Sequence, residues 1–266
     1  MKKTLEAYWR GEISQEELKA QGQLLQQKNW QQQFDAGLDL IPVGDFTWYD
    51  HVLDMSALLG VIPPRFTATK SHVDIDTIFC MARGQAPDGQ ENTACEMTKW
   101  FDTNYHYIVP EFTTDQNFQL LMESFFANVD HALALGYKIK PVLLGPLTYL
   151  WLGKCKGQTF DKLSLLERLI PVYEEIFAQL NRRGVEWLQL DEPILVVDLP
   201  ATWRAAFLST YSRLNFCNVK CLLATYFGDL GDNLALSCQL PVDGLHIDLC
   251  RAPEQIDAVL ENLPAE

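Results

Sequence analysis

A short pattern recurs along the chain and restricts its fold more than any other feature: a helix-like stretch, a glycine, and soon afterwards an apolar run. The pattern occurs at Gly37 before residues 38–43, at Gly136 before 139–144, and at Gly184 before 185–190. A glycine after a helix fits the positive φ of a C-cap, and an unbroken apolar run is typical of a strand covered on both faces. The pattern therefore predicts helices alternating with parallel strands.

Other segments extend this prediction. Ser14 and Glu17 have the spacing of a capping box, so a helix should begin after Ser14. Apolar residues from Phe118 to Leu133 recur at helical spacing and predict a helix ahead of Gly136. Further strands are predicted at 73–79, 107–109, 219–224 and 245–249.

Strands alternating with helices imply right-handed crossovers, either in an open doubly wound sheet or in a (β/α)8 barrel. Neither a G-x-G-x-x-G turn nor a phosphate-binding G-x-x-x-x-G-K-[ST] loop follows any predicted strand, which favours the barrel. The chain has 266 residues, of which 48% are hydrophobic, and this is enough for one substantial core. We expect a single α/β domain spanning 1–266, of the TIM-barrel type.

Composition excludes some partners. Lys and Arg total 21 against 35 Asp and Glu, and the net charge of −14 argues against nucleic acid and anionic membranes. The longest apolar run, 141–153, is too short to cross a bilayer, and no export signal opens the chain. Seven cysteines without a C-x-x-C pair indicate reduced thiols. We expect a soluble cytoplasmic protein that uses individual lysines to bind any anionic ligand.

In a barrel, ligands bind at the carboxyl ends of the strands, so polar residues there are candidates. Asp191 and Glu192 follow the strand at 185–190, and Asp248 comes directly after residues 245–247, near the end of the last predicted strand. Adjacent residues of a strand point to opposite sides, so only one of Asp191 and Glu192 can face the mouth; a structural role and a ligand contact both stay open for each. Lys99 is the lone Lys or Arg in the aromatic segment 96–107. That segment suits a flat ring with a carboxylate tail, although a solvated surface lysine is the alternative.

Four segments, in order, resemble the amino-terminal half of cobalamin-independent methionine synthases: 42–52 (PVGDFTWYDHV), 96–107 (EMTKWFDTNYHY), 140–146 (KPVLLGP) and 189–193 (QLDEP). The resemblance implies an enzyme of two facing (β/α)8 barrels that transfers a methyl group from 5-methyltetrahydrofolate polyglutamate to homocysteine without cobalamin. Zinc, bound by His, Cys, Glu and Cys of the carboxyl-terminal barrel, holds the homocysteine thiolate. The amino-terminal barrel supplies folate contacts.

By this resemblance Lys99 matches a folate-contacting lysine, and Lys2 matches the last residue of the family's Arg-Glu-Leu-Lys motif. The rest of that motif and the first barrel strand would fall upstream of Met1, and the chain ends soon after the expected seventh strand. We therefore expect an incomplete barrel without its first and last strands and without the carboxyl-terminal zinc barrel. Such an open barrel should be weakly stable or self-associating.

Comparison with the zinc barrel predicts no metal site here. Residues 225–227 (TYF) stand where the zinc barrel has His-x-Cys, and Asp248 stands where it has its zinc-binding Glu, so the zinc ligands are absent from this chain. Asp191 takes the place of a substrate-contacting aspartate. We assign no catalytic residue, and Asp191 and Asp248 remain vestigial or substrate-facing candidates.

Three functions follow from the resemblance. The chain is part of the methyltransferase and inactive alone, with homocysteine bound only through the missing barrel. Alternatively, it is a non-catalytic module that binds folate polyglutamate through Lys2 and Lys99. A stand-alone decarboxylase or corrinoid-linked methyltransferase of a related barrel family ranks below both.

Overall fold

The computed structural model describes residues 1–66, 73–87, 89 and 91–264. Nine strands lie in these residues: β1 (Ile41–Val43), β2 (Met97–Lys99), β3 (His106–Ile108), β4 (Glu111–Phe112), β5 (Ile139–Leu144), β6 (Lys154–Cys155), β7 (Trp187–Asp191), β8 (Lys220–Ala224) and β9 (Gly244–His246).

The same residues contain ten α-helices: α1 (Lys2–Trp9), α2 (Gln15–Asp35), α3 (His51–Leu58), α4 (Ile75–Arg83), α5 (Glu123–Ala134), α6 (Pro146–Leu152), α7 (Leu166–Arg182), α8 (Ala201–Arg213), α9 (Leu234–Gln239) and α10 (Gln255–Asn262). Within the described ranges, no helix is both long and apolar enough to span a membrane.

The central sheet has five parallel strands in the order β1-β5-β7-β8-β9, which is also their order along the chain. Right-handed crossovers that always step in the same direction place the connecting helices on one face of such a sheet. In the described part of the chain β1 and β9 are the two edges of this sheet, so it is not closed into a barrel. The fold is α/β with a mostly parallel sheet, as the alternating pattern predicts.

The glycines end the helices as expected. Gly37, Gly136 and Gly184 have φ values of 86°, 86° and 74° and follow the ends of α2, α5 and α7. The capping box at Ser14 is also confirmed, since its side chain accepts from the Glu17 amide and the Glu17 carboxylate accepts from the Ser14 amide. These local signals therefore mark the start of α2 and the ends of α2, α5 and α7.

The strand predicted at 73–79 is wrong, because this segment belongs to α4 from Ile75 onward. The Asp74 side chain accepts from the Thr77 amide at 2.7 Å and caps the helix, and Gly84 ends it with φ 79°. Every residue of α4 except Asp76 and Arg83 is buried. The alternation of apolar and acidic residues at 73–76 imitates a strand and explains the wrong prediction.

Two further predictions need correction. The strand predicted at 107–109 is β3, which pairs antiparallel with β2 in a hairpin outside the central sheet. The helix predicted from Phe118 begins only at Glu123, so the first part of that apolar stripe is not helical. Its residues still join the core, since Phe118 is 9% exposed and packs against Phe112.

Candidate functional site

A cavity of about 490 Å³ lies at the carboxyl ends of the parallel strands. Its wall comes from residues 44–47 after β1, from Asp191 at the end of β7, and from residues 226–227 after β8. Two helices complete it, α3 through His51 and Asp54 and α5 through Phe125 and Asn128. A concave, mostly apolar cavity at this edge of a parallel sheet is the usual place for a small-molecule site.

The hairpin of β2 and β3 supplies one side of the cavity. Trp100, Thr103 and Tyr105, from its loop, line the cavity. The Trp100 ring meets the His51 ring edge to face at 4.3 Å and lies 6.4 Å from the Phe227 ring. These rings offer flat apolar surface to a planar ligand.

Asp191 lies in this cavity. Its carboxylate accepts from Gln189 Nε2 at 2.7 Å and from the Tyr226 hydroxyl at 3.0 Å. Burial raises the pKa of Asp191, while these two hydrogen bonds and the charges of Lys140 and His246 act against that rise. The structure therefore brings one carboxylate singled out from the sequence into the candidate site.

Glu192 directly follows β7 and is not among the residues that line the cavity, in keeping with the opposite directions expected for adjacent residues of a strand. It is fully buried and accepts from the Leu147 amide at 3.2 Å, the Thr148 amide at 2.7 Å and the Tyr211 hydroxyl at 3.0 Å. Burial raises the pKa of Glu192 to about 7. These bonds connect the first turn of α6 to α8, so Glu192 has a structural role.

Asp248 is not among the residues that line the cavity. Its carboxylate accepts from the amides of Phe227 at 2.9 Å and of Cys250 and Arg251 at 3.0 Å each. These bonds, with the Arg251 amide first, lower the pKa of Asp248. Both carboxylate oxygens are occupied in bonding the segment after β8, at Phe227, to the segment after β9, at Cys250 and Arg251. This geometry gives Asp248 a structural role.

Three further titratable groups line the cavity: Asp45 and His51, which belong to the segment 42–52 singled out from the sequence, and Asp54, which sequence reasoning missed. Burial raises the pKa of Asp45 and lowers the pKa of His51 to about 4. Burial and then the charge of Asp50 raise the pKa of Asp54 well above its usual range, and Asp54 Oδ1 has no hydrogen-bond partner within the described ranges. His51 and Asp54 are three residues apart on α3, so their spacing places both on one helix face.

The two lysines identified by resemblance lie outside the cavity. Lys99 is exposed on β2, opposite His106 in the hairpin, and is adjacent to the cavity residue Trp100. Lys2 is the first residue of α1; its side chain is 89% exposed and its Nζ lies 3.9 Å from Glu6 Oε1. The structure places them on different elements, both accessible to an anionic ligand.

Residues 225–227 do not offer the side chains that a metal ion needs. The Thr225 hydroxyl donates to the His246 carbonyl at 2.9 Å, and the Phe227 side chain has no donor atom. Within the part of the chain that the structure describes, no three His, Cys, Asp or Glu side chains are grouped as a metal would need. In the described part of the chain, free thiols are found at Cys95, Cys155, Cys217, Cys221, Cys238 and Cys250.

Fold and site together define a parallel α/β protein with a ligand cavity at the carboxyl edge of its sheet. Over residues 1–266 the chain matches the family model described as "Cobalamin-independent synthase, N-terminal domain", and it belongs to that family. Proteins from two strains of Coxiella burnetii, each named 5-methyltetrahydropteroyltriglutamate–homocysteine methyltransferase, are 67% and 66% identical over 266 residues. The match covers 100% of this chain but 34% of each relative, so the chain spans about a third of their length.

Solved structures show a similar fold. A chain from Listeria monocytogenes, described as a vitamin-B12-independent methionine synthase, matches with a TM-score of 0.59 at 15% identity, over 92% of this chain and 67% of that one. A B12-independent methionine synthase from Shewanella matches with a TM-score of 0.51 at 17% identity, over 86% and 59% of the two chains. At these identities the likeness concerns the fold alone.

Proposed function

We propose that this chain supplies the folate side of an enzyme that transfers a methyl group from 5-methyltetrahydrofolate polyglutamate to homocysteine. The observation that carries the proposal is the 67% identity, over the whole chain, to relatives named for that reaction. The geometry is compatible with it, because a cavity walled by aromatic rings lies beside an exposed lysine. A pteridine ring needs flat apolar surface, and its glutamate tail needs cations.

Within this proposal Lys99 and Lys2 bind carboxylates of the glutamate tail. Both are exposed, so they can reach a ligand without losing a buried partner. Homocysteine and zinc then belong to the two-thirds of the relatives' length that this chain does not match, and no residue here acts as a metal ligand or catalyst. Cobalamin takes no part, in keeping with the family, and reduced thiols fit a cytoplasmic enzyme.

We extend the proposal to the fold. Five parallel strands in chain order form an arc that a (β/α)8 barrel contains and a doubly wound sheet, whose order reverses, does not. The edges β1 and β9 would then pair with further strands of a complete barrel. Hydrogen exchange at the amides of β1 and β9 tests this extension. We expect strong protection of the corresponding amides in a full-length Coxiella burnetii relative and weak protection in this chain.

Calorimetric titration tests the folate site. The chain is titrated with the triglutamate and the monoglutamate forms of 5-methyltetrahydrofolate, and Lys99→Ala is compared with Lys28→Ala, a control at an exposed lysine on α2. Loss of one charged contact should weaken triglutamate binding about 5- to 10-fold. No heat with either ligand, or equal affinities in Lys99→Ala and the parent, would refute the site.

The second candidate function, a folate-binding module without a role in catalysis, differs in one observable. Mixing the chain with a separately expressed carboxyl-terminal remainder of a Coxiella burnetii relative should give methionine if the chain is part of the methyltransferase. Folate binding without any methionine formation would favour the module.

A further inference from the structure

Asp50 joins the start of α3 to the hairpin that carries Lys99. It is 1% exposed, and its Oδ1 accepts from the amides of Val52 at 2.9 Å and Leu53 at 2.8 Å. Its Oδ2 accepts from the amide of Ile108, in β3, at 3.0 Å. One carboxylate therefore caps a helix and bonds a strand 58 residues further along the chain.

The hairpin needs such a bond to the rest of the protein. β2 and β3 pair over three positions, Met97 with Ile108, Thr98 with Tyr107 and Lys99 with His106. An isolated two-stranded hairpin of this length is not stable in water and depends on contacts with the rest of the protein. The Asp50 bond holds β3 at Ile108, and pairing transmits that position across the hairpin to Met97, two residues from Lys99.

The neighbouring residue holds the other end of the hairpin. The His51 ring meets Trp100 edge to face at 4.3 Å and lies 5.6 Å from the Tyr105 ring. Trp100 and Tyr105 close the loop, since the Trp100 amide donates to the Tyr105 carbonyl at 2.8 Å. The first turn of α3 thus fixes the hairpin at two points, on either side of the Lys99–His106 pair.

We propose that Asp50 is a positioning residue for Lys99: by bonding the Ile108 amide, it holds the hairpin where the lysine can reach the glutamate tail. The proposal rests on the proposed folate function. It assigns Asp50 no contact with the ligand. A carboxylate is suited to the position because only a group with two acceptor oxygens can satisfy the helix start and the strand together.

The test uses Asp50→Asn in the full chain. The asparagine oxygen can still cap α3, but its NH₂ group then faces the Ile108 N–H, so the bond to the hairpin is lost. Asp74→Asn is the matched control, because Asp74 also caps a helix, α4, through the Thr77 amide, and no hydrogen bond joins it to the hairpin within the described residues. Circular dichroism establishes that both variants are folded before binding is measured.

The first readout is deuterium uptake of residues 97–108. We expect uptake at least about tenfold faster in Asp50→Asn than in the parent, because the hairpin has lost a buried hydrogen bond that anchors it, and unchanged uptake in Asp74→Asn. Equal uptake in Asp50→Asn and the parent would overturn the proposal, whatever the binding data show.

The second readout is a double-mutant cycle on affinity. Asp50→Asn should weaken binding of the triglutamate about 5- to 10-fold, leave the monoglutamate nearly unchanged, and have no further effect when Lys99→Ala is already present. Additive losses in the cycle would overturn the positioning role and leave the folate site intact. If Lys99→Ala alone has no effect, the proposed function fails, and the positioning role fails with it. Deuterium uptake then separates this outcome from loss of the hydrogen bond between Asp50 and the hairpin.

Discussion

Glu192→Gln should remove a pH dependence of stability that the parent chain possesses. The Glu192 carboxyl is fully buried, and burial raises its pKa from an ordinary 4.5 to about 7. Between these two values the folded chain keeps a proton that the unfolded chain has released. Stability therefore falls as pH rises from about 4.5 through 7, because the unfolded state binds fewer protons.

The size of the effect follows from the two pKa values. A difference of this size corresponds to about 3 kcal/mol once both states are ionised, and about 2 to 3 kcal/mol of it falls between pH 5 and 8. Glutamine keeps an oxygen for the Thr148 amide and fills the same space beside Tyr211, but its NH₂ group then faces the Leu147 N–H. Loss of that one long bond has the same cost at every pH. The variant should therefore stay folded while losing the titration.

The assay is urea unfolding, followed by tryptophan fluorescence, of parent and variant at intervals from pH 5 to 8. The free energy of unfolding of Glu192→Gln minus that of the parent should rise by about 2 to 3 kcal/mol across the range. Other buried carboxyls titrate in both proteins and cancel in the difference. Parallel pH curves for the two proteins would refute the assignment of this titration to Glu192.

Two further outcomes follow from packing and exposure. Gly153→Ala should lower the free energy of unfolding by about 1 to 3 kcal/mol in urea melts, because the added Cβ overlaps the fully buried Phe112 ring. Gly228→Ala is the control, since its Cβ would approach no closer than 3.9 Å to Val196, and equal melts for the two variants would contradict the packing. Iodoacetamide followed by mass spectrometry should label the exposed Cys250 at least about tenfold faster than Cys221, whose pKa is raised by burial. Comparable labelling rates in the native chain would disprove this order.

Sequence patterns located the parallel sheet well where local signals agree. The strand predicted at 139–144 is β5, residue for residue, because Gly136 ends the helix before it and Gly145 is the N-cap of α6 after it. The segment at 73–79 resembles a strand in sequence because apolar and acidic residues alternate in V-D-I-D at its start. The overlooked signal was Asp74 three residues before Thr77, followed by Gly84 at the end of the helix.

The candidate site was only partly accessible to sequence reasoning. Asp191 could be found because it follows a recognisable strand. Asp54 could not, because its isolation within the cavity depends on how α3 packs, which no short-range pattern records. The roles of Lys2 and Lys99 rest on resemblance, and the structure shows only that both are exposed.

The adjacent residues Asp191 and Glu192 disfavour a misaligned β7. A slip of β7 by one residue would exchange the two faces of the strand. Glu192 would then enter the cavity, and the Leu147 and Thr148 amides, which now bond its carboxylate, would lose their acceptor. Leu190, now fully buried, would leave the core at the same time. Asp191 and Glu192 each fit a different environment. The observed alignment of β7 is therefore more stable than one shifted by one residue.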